Sequence, residues 1–532
     1  MKLVPLKRLL LSLVLVLAPG PRCLQAQAPP HNILLVLADD IGTDALSLYH
    51  PVTPGTSFAP TPNLDALATR GVRFRNCYGY PSCSPTRSCL LTGRYGFRTG
   101  IGAAIDDART ALDPYLSPRE FTLPKALDAN PQLGFRHAHV GKWHLSGSPA
   151  DPQAIGGWGH FSGFLGGERE SYFDWEKIVD GVVQPHTTRY ATSDCVTDAL
   201  RWMGAQGTNR WFLWLAPKSA HSPLHVPPAG LHSYRGLPDP PPASGAGAKL
   251  YYQAMIEALD TELGRLLSQV NLANTLVVFL ADNGTPTETI QAPFAAHQCK
   301  GTLFEGGIRL PLFMAGAGLV STNRWVDAVV HAVDVPATLL EMAGVDLAAT
   351  LPPGRPFDGR SFAALLRNQP WNPTESTILA ENFGSIIPEP LRGVAARDAR
   401  YKVLRLDHGR EAFFDLQADP LERTNLLGNP ASLTLPQRTA YAGLTNRLAG
   451  WHNPPQAPVI TRVEAGPAGL EASAPEQLGA AYALERSPTL DPPAWTVVPG
   501  FEREVLLAEP WVRLRDPAPA DPAFYRVTAT GR

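Results

Sequence analysis

The chain is predicted to fold as an α/β protein: a large, mostly parallel central sheet flanked by helices, then a small C-terminal antiparallel α+β subdomain and an extra all-β tail. Three observations predict this. Continuous apolar runs such as NILLVLA and TLVVFLA end abruptly in carboxylates, the pattern of strands buried on both faces. Helical periodicity is interleaved with those runs, as in YYQAMIEALDTELGRLLSQV, and alternation of this kind builds a parallel sheet. From about Ser376 the pattern changes to short strands separated by turns.

Taken in order, the elements begin with HNILLVLADDIG, a buried strand delivering two acids at its C-terminal edge, where ligands gather in open α/β sheets. A helix follows in TPNLDALATRG, with Thr61 at the N-cap, Pro62 in the first turn and Gly71 past its end. GVRFRNCYGY, FRHAHVGKW, RWFLWLAPKSAH and NTLVVFLADNG are further strands. GGWGHFSGFLGGERESYFDW, rich in glycine and aromatics, reads as a loop that either lines a pocket or packs on the domain; Trp158, Tyr172 and Trp175 could stack on sugar rings. STILAEN, RGVAARD, RYKVLRLD and EAFFDL give the antiparallel subdomain, closed by a helix near Pro436 to Gly450. After the linker WHNPPQAP, the strands YALERS, AWTVVPG, EVLLAE, WVRLRD and AFYRVTAT suggest a β-sandwich-like module, whose Tyr482, Trp495 and Trp511 either touch sugars or pack its core.

A chain of 532 residues is too long for one compact core. The expected division is a signal peptide at 1–28, a catalytic α/β domain at 29–375, the antiparallel subdomain at 376–454 and the accessory module at 455–532. Lys+Arg 46 against Asp+Glu 48 leaves a formal charge of -2, which excludes the basic footprint of a nucleic-acid binder. The first residues place Lys2, Lys7 and Arg8 before an apolar run from Leu9 to Ala18, with small residues at Ala26 and Ala28. That is the layout of a cleaved signal peptide, so a secreted or periplasmic protein without stable membrane insertion is expected. No later stretch approaches the ~20 apolar residues of a transmembrane helix.

Chemistry concentrates in Cys83 to Arg94, CSPTRSCLLTGR, followed by YGFRTG. Its Cys-x-Pro-x-Arg frame with a Leu-x-Thr-Gly-Arg tail resembles the signature of type I, formylglycine-dependent sulfatases of the alkaline phosphatase superfamily, arylsulfatase-like in flavour. The resemblance continues over roughly residues 31 to 450: ADDIG supplies Asp39 and Asp40, VGKWHL supplies Lys142 and His144, and APKSAHSPLHVPP supplies His221. ADNG supplies Asp282 and Asn283, and KGTLFEGGIRLP supplies Lys300. The tail lies outside it.

The resemblance implies an enzyme that cleaves sulfate esters through a formylglycine gem-diol nucleophile, made from Cys83 by a formylglycine-generating enzyme, with a covalent sulfo-enzyme intermediate. Asp39, Asp40, Asp282 and Asn283 are hard oxygen donors and, with the modified Cys83, suit one Ca²⁺. Adjacent aspartates point to opposite faces of a strand, so both ligate only if Asp40 lies in the turn. By resemblance, Arg87 and Lys142 hold the diol, His144 accepts its second proton, and His221 and Lys300 grip the sulfate and protonate the leaving oxygen. His221 is chosen over His225 because the family places the histidine before x-Pro-Leu. Glu305 and Arg309 read as an i,i+4 structural pair, and His137, His139, His160 and His297 default to structure or substrate contacts.

A sulfated small molecule or polysaccharide is the implied substrate. The alternatives are a phosphonate monoester or phosphodiester hydrolase of the same superfamily, and a non-catalytic exported carbohydrate-binding protein. Once Cys23 leaves with the signal peptide and Cys83 is catalytic, Cys77, Cys89, Cys195 and Cys299 remain as two disulfides or four buried thiols.

Overall fold

The structure is a computed structural model that describes residues 29–451, apart from 55, 106–114, 168–170, 354, 373–376 and 385, and the tail strands between 462 and 530. The expected signal peptide and the WHNPPQAP linker beyond Trp451 lie outside the described residues. Among the described residues, no helix is long and apolar enough to cross a membrane.

Ten strands form the central sheet: β1 (Asn32–Ala38), β2 (Gly71–Tyr78), β3 (Phe135–Lys142), β4 (His160–Phe164), β5 (Ile178–Val179), β6 (Val182–Val183), β7 (Arg210–Ala216), β8 (Thr275–Ala281), β9 (Arg309–Gly316) and β10 (Arg324–His331). Their order is β10-β2-β9-β8-β1-β7-β3-β4-β5-β6. The centre, β8-β1-β7-β3-β4, is parallel, whereas β9 runs antiparallel to both β8 and β2.

β1 is continuously apolar because both of its faces are covered. Ile33, Leu35 and Leu37 join a layer with Leu90, Leu123 and Leu339, while Leu34, Val36 and Ala38 join another with Leu64, Val196 and Leu259. Each buried leucine, isoleucine or valine among them contributes about 1.5–3 kcal/mol relative to exposure. The predicted helix before β2 is α1 (Pro62–Thr69), and Thr61 sits at its N-cap. The free amides of Asn63 and Leu64 are instead capped by the Asp260 carboxylate at 3.1 and 2.8 Å, reaching across from the helix Gly245–Leu267.

β4 lies inside the segment expected to be a loop, and β9 and β10 have no counterpart among the predicted strands. β9 carries Pro311 between Leu310 and Leu312, and a proline cannot donate to a ladder. The neighbouring strand absorbs this: the β2 register slips between Phe74 and Cys77, opposite Leu312 and Leu310.

Four antiparallel strands follow, β11 (Ile378–Asn382), β12 (Gly393–Arg397), β13 (Tyr401–Leu406) and β14 (Glu411–Asp415). Their alternation divides two faces: Leu379, Val403 and Phe413 pack with Leu444 and Leu448 of the helix Leu435–Trp451, and Ala380, Leu404 and Phe414 pack with Tyr78, Leu303 and Ile308. The tail contains β15 (Arg462–Gly466), β16 (Gly469–Pro475), β17 (Ala481–Ser487), β18 (Thr496–Val497), β19 (Glu502–Val505), β20 (Trp511–Asp516) and β21 (Phe524–Thr530), in two antiparallel sheets. Tyr482 and Trp511 fall on β17 and β20, and Trp495 lies outside the described residues. Of the two cysteine alternatives, the thiols hold: among the described residues, Cys77, Cys89, Cys195 and Cys299 are buried and none is in a disulfide.

Candidate active site

The topology sends every motif to one edge. β1, β8, β3 and β7 are mutually parallel, so their C-terminal ends release Asp39, Asp282, His144 and His221 together. β9 is antiparallel, so the segment before it, carrying Lys300, arrives at the same edge. The register pairs Ala38 with Ala281, which sets Asp39 beside Asp282.

Cys83 opens the helix α2 (Cys83–Thr92), with Ser82 extended at its N-cap and Gly93 closing it at φ +66°. The Cys-x-Pro-x-Arg frame is therefore one helical turn, and Cys83 and Arg87 share a face. Arg87 is fully enclosed. Its Nη2 and Nε donate to Asp282 Oδ2 at 2.7 and 3.1 Å, Nη2 also reaches Asp39 Oδ2 at 3.4 Å, and Nη1 donates to the Lys142 carbonyl at 2.8 Å. Lys142 Nζ donates to Asp39 Oδ2 at 2.6 Å, and the Cys83 thiol lies 3.5 Å from Asp39 Oδ1.

β1 has ended by Asp40, which takes φ +61°, so its side chain escapes strand alternation and turns to the same place as Asp39. The Tyr252 hydroxyl holds that turn by donating to the Asp40 carbonyl at 2.6 Å. Lys300 Nζ sits 2.7 and 2.8 Å from the two Asp40 oxygens, and Asn283 Nδ2 donates to Asp40 Oδ1 at 2.6 Å.

Both predicted histidines are at the edge, and their partners fix their tautomers. His221 Nδ1 lies 2.9 Å from the Ser222 carbonyl, which can only accept, so Nε2 faces Asp40 Oδ2 at 3.8 Å with its lone pair. His144 Nε2 donates to the Ile105 carbonyl at 2.8 Å, leaving a buried Nδ1 without a partner among the described residues. His225 is engaged elsewhere, its ring tilted against Tyr172 at a centroid distance of 4.2 Å and bonded to the Pro223 carbonyl and Tyr190 hydroxyl.

A model of the sulfatase family matches residues 31–345, more than half of the chain, and one for the N-sulphoglucosamine sulphohydrolase C-terminal region matches 297–445. The chain belongs to the sulfatase family. Curated relatives of this sulfatase include rat arylsulfatase G, 27% identical over 72% of the chain and 76% of the relative. Human arylsulfatase A is 28% identical over 80% and 88%, and human N-acetylgalactosamine-6-sulfatase is 29% identical over 63% and 66%. The same fold is seen in the crystal structure of Ps i-CgsB in complex with k-i-k-neocarrahexaose, at 22% identity and TM-score 0.66 over 80% of this chain and 92% of that one. A second solved complex, of a protein with its substrate D-glucosamine-2-N,6-O-disulfate, aligns at 22% identity and TM-score 0.62 over 80% and 98%.

Sulfatases generally use a formylglycine and a metal ion, and the donor set here fits a cation. Ligand atoms of Asp39, Asp40, Cys83 and His221 lie within 4.8 Å of one another. Asn283 Oδ1 is buried with no hydrogen-bond partner among the described residues, as expected of an oxygen reserved for a ligand. Burial pushes the Asp39 carboxyl up, but Lys142, His221, Arg87 and Lys300 together hold it well below the usual carboxylate range. Burial also lowers His221 to about 4 and His144 well below its ordinary value, the latter with help from Lys142 and Arg87, so both rings rest neutral.

Several supporting residues act through contacts that the sequence does not announce. Ser84 Oγ accepts the Ile105 amide at 3.0 Å, and that residue's carbonyl orients His144. Gly284 is glycine because a Cβ there would meet the Gly306 carbonyl oxygen at 1.8 Å; the ADNG and FEGG segments cross at contact distance. Trp158, Tyr172 and Trp175 are each 2% exposed, which removes them as sugar platforms. Tyr172 instead fixes the loop that carries His221, its hydroxyl donating to the His221 carbonyl at 2.7 Å and the Lys218 carbonyl at 3.0 Å. Glu305 meets Arg309 at 3.7 Å as expected of an i,i+4 pair, within a buried group that also holds Lys402 and the Tyr78 hydroxyl.

Proposed function

We propose that this sulfatase hydrolyses sulfate esters of carbohydrates or aryl alcohols with a formylglycine made from Cys83 and one Ca²⁺ held by Asp39, Asp40, Asp282 and Asn283. The observation that carries this reading is the enclosure of Cys83, 1% exposed, by an all-oxygen donor set on one side and by Arg87, Lys142, Lys300 and two neutral histidines around it. A tetrahedral dianion needs that balance of cations. The relatives named for sulfated sugars support a sulfated carbohydrate as substrate.

Once installed and hydrated by one water to its gem-diol, the formylglycine would supply two oxygens on one carbon, one to attack sulfur and one whose deprotonation would expel sulfate, while the cation would polarise the sulfate oxygens. The chain's own groups manage charge and protons. Arg87 and Lys142, locked to Asp39 and Asp282, neutralise the oxygen that forms at position 83. His144 presents its Nδ1, without a partner among the described residues, as the proton acceptor. Lys300 and His221, both facing Asp40, bind the sulfate, and the cationic Lys300 delivers the proton to the departing alcohol.

Parallel assays test the function: the matured enzyme is expected to turn over an aryl sulfate and members of a panel of defined sulfated sugars. Preferred turnover of an aryl phosphate diester would reassign it to the superfamily's phosphoester hydrolases. Within the Lys300 segment, Lys300→Ala should lower kcat by about 10²–10³-fold. Glu305→Gln should leave kcat near wild type and lower unfolding stability by about 3 kcal/mol, because Lys402 and Arg309 lose a buried counter-charge. The reverse order of effects in kinetics and urea unfolding would show the segment misassigned.

A further inference from the structure

We propose that His139 is a positioning residue that fixes the two cations beside Cys83. The inference rests on the sulfatase reading above. His139 lies on β3, three residues before Lys142, and is 1% exposed. Its Nε2 is 3.0 Å from the Lys142 carbonyl oxygen; a carbonyl only accepts, so Nε2 carries the hydrogen. The same oxygen accepts Arg87 Nη1 at 2.8 Å. One carbonyl is thereby clamped between an imidazole and a guanidinium, at the residue whose ammonium pairs with Asp39.

The surroundings single out the hydrogen bond, rather than packing alone, as the reason for a histidine here. The ring is enclosed by Trp143, Trp158, Phe161 and Trp214, with centroids 5.6, 5.6, 5.7 and 5.2 Å away, an environment that a leucine would fill without any polar atom. Phe161 and Trp214 are its direct cross-strand neighbours on β4 and β7. Its Nδ1 is buried and has no partner among the described residues, a loss the fold sustains for the single donor at Nε2. That donor sets where the β3 end stops, hence where Lys142 and Arg87 stand relative to position 83. Displacement of such groups by about 1 Å is enough to lower turnover by about 10²-fold.

The test compares His139→Leu, which keeps the bulk and removes the donor, with His139→Gln, whose amide nitrogen reaches the same carbonyl. Each is measured as matured protein, with formylglycine content at position 83 read by peptide mass and used to normalise kcat. His139→Leu is expected to lower kcat on an aryl sulfate by about 10–100-fold with KM changed less than about threefold, and His139→Gln to recover most of kcat. Wild-type kcat in His139→Leu, or a loss that His139→Gln does not reverse, overturns the proposal. Wild-type protein assayed in parallel separates the two readings: no sulfatase turnover despite full formylglycine content overturns both.

Discussion

Replacing Cys83 with alanine is expected to lower kcat on sulfate esters by at least about 10⁵-fold, the scale seen when a covalent nucleophile is removed. The fold should survive. Cys83 contributes one sulfur atom at the first position of α2, and the remaining nine residues of that helix, all buried, keep it in place. A change of about 1 kcal/mol in unfolding stability is the expected cost of so small a deletion. Paired kinetics and denaturant unfolding read both quantities. Measurable wild-type turnover in Cys83→Ala would end the mechanism, whereas lost turnover with a collapsed fold would show only that the helix start is structurally indispensable.

Stripping divalent cations with a chelator should reduce turnover to about 1% or less, and added Ca²⁺ should restore it where Zn²⁺ does not. The physical reason is the crowding of Asp39, Asp40 and Asp282, each no more than 1% exposed, with the Asn283 carbonyl oxygen beside them. Arg87, Lys142 and Lys300 offset those charges but leave the Asn283 oxygen without a partner among the described residues. A cation that binds only the folded state also raises its stability, by about 2.7 kcal/mol at a hundredfold excess over its Kd. Thermal unfolding with and without Ca²⁺ therefore provides a second readout, independent of turnover. Full activity and an unmoved Tm after exhaustive chelation would exclude the metal from this site.

The parts of the fold that are legible in the sequence are those whose residues report their own environment. NILLVLA and TLVVFLA announce strands covered on both faces because every position after the first is apolar, and they form β1 and β8. RLPLFMAG does not announce β9: its proline argues against a ladder, and only the slipped register of β2 makes room for it. The site divides in the same way. Asp39, Asp40, Cys83, Arg87, Lys142, His144, His221, Asp282, Asn283 and Lys300 stand out through motifs, and the sheet gathers all of them at one edge. Ser84, His139 and Tyr172 do not stand out for their contacts, because each acts through a carbonyl belonging to a residue chosen by three-dimensional proximity. Trp158, Tyr172 and Trp175 mislead for a related reason: an aromatic in a glycine-rich stretch looks the same whether it faces solvent or core.

The convergence of separate strand ends on one edge has a consequence for how such a molecule can change. Cys83 meets a partner 44 positions away, Asn283 one 243 away and Lys300 one 260 away. None of these pairings depends on the length of the chain that intervenes. Surface excursions between strands can be lengthened, shortened or exchanged at an entropic penalty growing only with the logarithm of their size. The reacting centre and the rim that chooses among molecules are thus free to diverge independently, one held still by the sheet while the other is rewritten.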